Sequence, residues 1–216
     1  MGSGVSSVIA VLGCLFCLAA VVILIIAVVL WRRSKQPQRP APTQPPVDPF
    51  RAMDADVDAV RGDPRRLKPG DIVDIHGATY TVRGSMQFTE SGWGWSEHFL
   101  DDASDRPAGK VWLSVEEDPD LELVLWTELP GVPLAPNAPN LTLAGVTYTA
   151  DESGTARYTS VGTTGLLPTG TLRYHDYRGS DGSRLSFESY GDSDRFEVAR
   201  GAVLHQTDLQ IYPQAT

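Results

Sequence analysis

Ile75-His76-Gly77-Ala78-Thr79-Tyr80-Thr81 returns 68 positions later as Leu143-Ala144-Gly145-Val146-Thr147-Tyr148-Thr149. Each copy has an aliphatic residue, a glycine and then alternation of small and aromatic side chains. Glycine suits a tight turn because it lacks Cβ, and alternation at period two marks half-buried strands, so both copies read as hairpins. Two further echoes extend the match. Leu113-Ser114-Val115-Glu116 recurs as Leu185-Ser186-Phe187-Glu188, and Leu121-Glu122-Leu123 as Phe196-Glu197-Val198, so the offset drifts from 68 to 72 to 75. Small loop insertions account for that drift. The echoes divide the body into two homologous β-meander units, about 67–129 and 140–212, joined by the proline-rich Pro130-Gly131-Val132-Pro133-Leu134-Ala135-Pro136-Asn137-Ala138-Pro139.

Period two recurs in the intervening segments. Residues 71–75, 78–82, 110–115 and 121–126 all alternate, and Glu116-Glu117-Asp118-Pro119-Asp120 reads as an acidic, solvated hairpin tip. No stretch after Gly62 sustains a helical stripe. The predicted fold class is therefore all-β: two homologous meanders, each with one apolar face, packed as a sandwich or barrel about a pseudo-twofold axis.

The front of the chain is different. Val8 to Leu30 contains no charge and is followed by Trp31-Arg32-Arg33-Ser34-Lys35. At ~1.5 Å per residue such a run is long enough to cross a ~30 Å hydrocarbon core as one helix. A secretory signal would have a shorter apolar core, a basic front and a small-x-small cleavage site, none of which is present. A lipoprotein signal at Cys14 fits no better, because the apolar run continues past it. The collar Trp31, Arg32, Arg33 and Lys35 lies after the span, which predicts a single-pass inner-membrane protein with its N-terminus outside and its C-terminal domain cytoplasmic. Residues 1–35 are thus read as anchor and collar, 36–47 as a Pro-rich linker, 48–62 as a short amphipathic helix and 63–216 as the β domain. Phe50, Met53, Val57 and Val60 form the helix stripe, expected to dock on the domain or else to serve as a handle for a partner protein, and Gly62-Asp63-Pro64 ends it.

Charge is distributed unevenly. Residues 67–216 carry ten Lys/Arg against 22 Asp/Glu, a balance of −12. That excludes phosphate-backbone recognition, so no nucleic-acid partner is expected, and it favours a cationic ligand or a basic protein surface. The lipid bilayer is the partner of the N-terminal helix, and a protein partner at the membrane is expected. Both cysteines, Cys14 and Cys17, fall inside the span, so the body has no thiolate metal site and no disulfide.

Chemistry concentrates in Glu90-Ser91-Gly92-Trp93-Gly94-Trp95-Ser96-Glu97-His98-Phe99-Leu100-Asp101-Asp102. Its counterpart in the second unit is Leu172-Arg173-Tyr174-His175-Asp176-Tyr177-Arg178. Trp93, Trp95, Glu97, His98, Asp101 and His175 form the candidate pocket. Glu97 and His98 would supply acid and base, or His98 and His175 a metal pair across the pseudo-dyad. Adjacent strand residues point to opposite faces, which opposes a shared Glu97/His98 site and leaves a binding role ahead of catalysis. Trp93 and Trp95 share one parity and should fill a core or a rim. Asp54-Ala55-Asp56-Val57-Asp58 resembles half a calcium loop but lacks its glycine and its terminal glutamate. No nucleophile elbow, phosphate loop or zinc signature is present, so no cofactor and no catalytic residue is expected.

Leu67-Lys68-Pro69-Gly70-Asp71-Ile72-Val73, the hairpin Gly77 to Gly84, Trp95-Ser96-Glu97-His98-Phe99-Leu100 and Val111-Trp112-Leu113-Ser114-Val115-Glu116-Glu117-Asp118 together resemble the domain-of-unknown-function family 4178. The resemblance covers most of 67–212. It implies a bacterial protein without an assigned activity, in the company of small membrane proteins, spermidine-synthase-like proteins or envelope-stress components. His98 stands where the family pattern has tyrosine, which lowers the expectation of a hydroxyl role there. Two functions follow as expectations: an adaptor or sensor for neighbouring membrane proteins, or a protein acting on a cationic small molecule such as a polyamine.

Overall fold

The computed structural model describes residues 58, 60–101, 109–136 and 138–214. The expected anchor, the linker and most of the short helix lie outside that range. No helix among the described residues is long and apolar enough to cross a membrane. Of the short helix only the end is described, where the Gly62 N–H donates to Asp58 O at 2.9 Å and Gly62 takes φ +85°. Val60 is exposed rather than docked, so that residue does not serve the predicted stripe. Asp63 then caps a 3₁₀ turn, Pro64–Arg66, by accepting the Arg65 N–H.

The described residues then form eleven strands: β1 (Ile72–Ile75), β2 (Ala78–Glu90), β3 (Trp93–Asp101), β4 (Val111–Glu117), β5 (Leu121–Glu128), β6 (Asn140–Leu143), β7 (Val146–Gly162), β8 (Thr169–Gly179), β9 (Arg184–Tyr190), β10 (Glu197–Leu204) and β11 (Leu209–Tyr212). The domain is all-β, as the alternation predicts. Strands β1–β5 run as one antiparallel meander and β6–β10 as another. They join through β5–β10 on one side and β2–β7 on the other, which closes β2-β3-β4-β5-β10-β9-β8-β7 into an eight-stranded barrel. The barrel alternative is therefore the one realised, with strands β1, β6 and β11 added outside it.

Closure depends on the long strands β2 and β7. One edge of β2 pairs first with β1, over Ala78–Thr81, and then with β7, over Gly84–Thr89. The matching edge of β7 pairs first with β6 and then with β2. Where β2 changes partner it bends. Its register against β3 slips between Val82 and Gly84, and a Cβ on Gly84 would lie 2.6–2.8 Å from atoms of Thr163 and Thr164. β7 slips against β8 between Ala150 and Glu152, so the bulged residues are Arg83 and Asp151, again 68 apart. Each bulged residue forms an ion pair with the strand beside it, but with the charges exchanged: Arg83–Asp101 at 2.9 Å and Arg178–Asp151 at 2.5 Å.

Three cores result. Val73, Ile75, Val82, Leu113, Leu123 and Ile211 belong to an outer core where β1 and β11 fold over the first meander. Tyr148, Tyr177, Leu185 and Phe187 form its counterpart on the second meander. The third, inside the barrel, is aromatic: Met86, Phe88, Trp112, Tyr158, Leu172 and Tyr174, with Trp95, Phe99, Trp126 and Tyr190 packed against it.

Candidate functional site

Strand register decides which side chains share the barrel interior. Trp95, Glu97 and Phe99 of β3 stand opposite Glu116, Ser114 and Trp112 of β4, and these in turn opposite Glu122, Val124 and Trp126 of β5. Across the barrel, Leu172, Tyr174 and Asp176 of β8 oppose Tyr190, Glu188 and Ser186 of β9. The inner face is thus aromatic toward the end carrying the β7–β8 loop and acidic toward the end carrying the β2–β3 hairpin.

Between the acidic side chains lies a cavity of about 330 Å³, lined by Glu90, Glu97, Glu116, Asp118, Glu152, Asp176 and Glu188 together with Trp93, Trp95, Trp126 and Tyr174. Among the described residues, no lysine, arginine or histidine lines it. It adjoins an open trough at the rim, where Arg178 and Arg184 do occur. Those two cations have partners: Asp151 holds Arg178 at 2.5 Å, and Glu122 holds Arg184 at 3.3 Å. A smaller chamber of about 90 Å³ lies on the other side of Glu97, Trp126 and Glu188, beneath Thr164 and Leu166 of the β7–β8 loop. There Lys110 sits 3.0 Å from Glu128 and 3.8 Å from Glu197.

The carboxylates of the main cavity are held by neutral donors. Trp95 Nε1 donates to Glu97 at 3.1 Å, the Tyr190 hydroxyl to Glu188 at 2.7 Å, and the Tyr174 hydroxyl to Glu90 at 2.6 Å and Glu152 at 3.3 Å. Glu90 also accepts the Thr155 N–H at 3.0 Å. Such bonds fix the positions of the carboxylates without cancelling their charge. Asp176 is partly buried, and its Oδ1 is sealed from solvent with no hydrogen-bond partner. A buried acceptor left unpaired costs about 1–3 kcal/mol, so this oxygen marks a place where a donor belongs.

Electrostatics follow from that packing. Burial raises the Asp176 carboxyl to about 7, with the Ser186 hydroxyl opposing and Glu152, Asp151 and Glu116 adding to the rise. Burial likewise raises Glu97 and Glu188, each further raised by a neighbouring carboxylate. Glu116 is raised for the same reasons. The aromatic walls are ordered: Phe88 stacks on Trp95 at 4.9 Å, and Trp95 meets Tyr174 edge-on at 5.7 Å. Trp93 stands at the mouth, 60% exposed, beside a turn whose Ser91 and Gly92 both have positive φ.

Of the residues singled out in the sequence, Trp93, Trp95 and Glu97 line this cavity, whereas His98, Asp101 and His175 do not. His98 has the opposite parity from Glu97. It is buried on the outer side of the sheet, where Ser85 Oγ lies 2.8 Å from Nδ1 and Ser96 Oγ 3.2 Å from Nε2. Burial lowers its pKa to about 4, so the ring is neutral there. His175 packs against Phe196 at 5.5 Å, and Asp101 is held by Arg83 at the end of β3. Neither the acid–base pair nor the metal pair forms, and no group of His, Cys, Asp and Glu among the described residues is arranged to hold a metal. Sequence reading overlooked Glu116, Glu152, Asp176 and Glu188. Glu116 and Asp118, exposed as the hairpin tip predicts, also line the mouth of the cavity. The signal for Glu116 was parity with Trp112 and Ser114 along β4, but only the barrel pairing shows that this parity faces inward.

The family model described as Domain of unknown function (DUF4178) matches residues 68–206. The chain belongs to that family. Uncharacterized proteins of Mycobacterium bovis (strain ATCC BAA-935 / AF2122/97) and of Mycobacterium tuberculosis (strain ATCC 25618 / H37Rv) are each 38% identical to it over 188 residues, spanning 84% of this chain and 85% of theirs. No solved structure matches. The matched region contains β1–β10, and so every strand of the DUF4178 barrel and its cavity.

Proposed function

We propose that the barrel is a binding module for an organic cation, taken into the acidic cavity between Trp95, Trp126 and Tyr174. One observation carries the reading: among the described residues, seven carboxylates share a cavity with aromatic faces and no cationic side chain, and the Oδ1 of Asp176 is an acceptor without a donor. Aromatic faces attract ammonium groups by about 0.5–2 kcal/mol, most strongly where water is excluded. An ammonium would also supply the hydrogen bond that the Oδ1 of Asp176 lacks. A polyamine such as spermidine fits this chemistry, with charge at intervals and methylenes between for the indole walls.

Isothermal titration of spermidine and of tetramethylammonium into the purified protein, at fixed ionic strength, tests the reading. Saturable binding of spermidine is expected, with affinity reduced tenfold or more in Asp176→Asn and Glu188→Gln. Titration without heat, or heat unchanged in both variants, would refute it.

The sequence supports a setting for this module. The uncharged run 8–30 and its collar favour a single-pass inner-membrane anchor with the barrel on the cytoplasmic side, and the Pro-rich linker would hold the barrel off the bilayer as an adaptor or sensor. Protease added to spheroplasts should leave the barrel intact; clipping it would reverse the orientation.

A further inference from the structure

We propose that the cavity exchanges protons for its cation: when empty it retains protons on its buried carboxyls, and each ammonium group that enters sends protons to the solvent. This rests on the cation-binding reading above and adds how that site is regulated. The argument begins with geometry. Glu97 on β3, Asp176 on β8 and Glu188 on β9 enclose one cavity, with Glu116 from β4 and Glu152 from β7 facing them. Among the described residues, the lysine and arginines beside the cavity are already engaged: Lys110 by Glu128 and Glu197 below, Arg178 by Asp151 and Arg184 by Glu122 at the rim. Glu97, Asp176 and Glu188 are drawn back from water while Glu116 and Glu152 are exposed at the mouth, and like charges so placed cannot all ionise, so part of the set holds protons until a cation arrives. The neutral donors Trp95, Tyr174 and Tyr190 do not relieve this, because they bring no charge. The raised carboxyls agree with the geometry: Asp176 and Glu97, each pushed up to about 7 chiefly by burial, place the exchange near neutral pH, and burial beside Glu97 raises Glu188 well above the usual carboxylate range.

Two measurements test it. Spermidine is titrated into the protein in phosphate and in Tris, buffers of different ionisation enthalpy, between pH 6 and 8. The difference in heats should report at least one proton released per ligand, and affinity should rise about tenfold per pH unit for each proton released. Independently, infrared spectra of the ligand-free protein at neutral pH should show a protonated-carboxyl band that weakens in Asp176→Asn and Glu188→Gln. Binding without proton release overturns the exchange while the binding site stands. So does a ligand-free protein whose carboxyls are all ionised at neutral pH. Failure of spermidine to bind removes the site, and the exchange with it.

Discussion

Asp176 and His98 sit on opposite faces of the sheet and pull stability in opposite directions with pH. The folded barrel holds the Asp176 proton more tightly than the unfolded chain does, because its carboxyl rises from 3.8 to about 7. Its contribution to stability therefore falls as pH climbs through that window, and Asp176→Asn should gain on the wild type until the difference levels off above about pH 7. Urea denaturation at pH 5 and pH 8 checks this, and a gain of about 2–4 kcal/mol at pH 8 is expected from a shift of this size. His98 behaves oppositely: burial holds it neutral down to about 4, so the stability it lends is lost as pH falls from 6.5 toward 4. Replacing it by leucine should cost about 1–3 kcal/mol, because the Ser85 and Ser96 hydroxyls would lose their buried partner. Denaturation midpoints at pH 7 measure that loss. The separation of Glu97 from His98 was legible in the sequence, since strand alternation is local. That Glu97 meets Asp176 and Glu188 was not, because those contacts cross a barrel closed by distant strands.

Two glycines show how an element can fail in different ways. Gly77 follows His76 in a turn where both have positive φ, and nothing lies near the Cβ it lacks. Gly77→Ala should therefore cost only the left-handed backbone penalty, about 1–2 kcal/mol. Gly84 has the reverse problem, crowding by Thr163 and Thr164 at the bend where β2 leaves β1 for β7. Gly84→Val should open that seam, lower stability by about 2–4 kcal/mol, and speed hydrogen exchange at Ser85–Thr89 more than in β4. Denaturation and amide exchange separate the two cases. The hairpin turns at Gly77 and Gly145 could be read from seven residues each. The full lengths of β2 and β7 could not, since their later halves are stabilised only by each other.

Over the whole molecule, the two meanders complete one another. Each supplies four barrel strands, and the seams β2–β7 and β5–β10 are both antiparallel. A fragment containing only β1–β5 would leave three unpaired edges, at β1 where β11 is lost, at the later half of β2 and at β5, the last two around an acidic, half-built cavity. Such edges recruit partners, so residues 58–136 expressed alone should form dimers whose β2 edges pair with each other and whose β5 edges do the same. Light scattering should give twice the fragment mass; a stable monomer would contradict the closure described here.

β11 pairs with β1, Ile72 against Tyr212, and Gly62 packs on Ile211, so the strands that begin and finish the domain lie side by side. The order in which the halves are translated is then no part of the architecture. A gene rewritten to start at the proline-rich connector, run to Gln214 and pass through a few added glycines into residue 62 would encode the same barrel with its ends moved to the other seam.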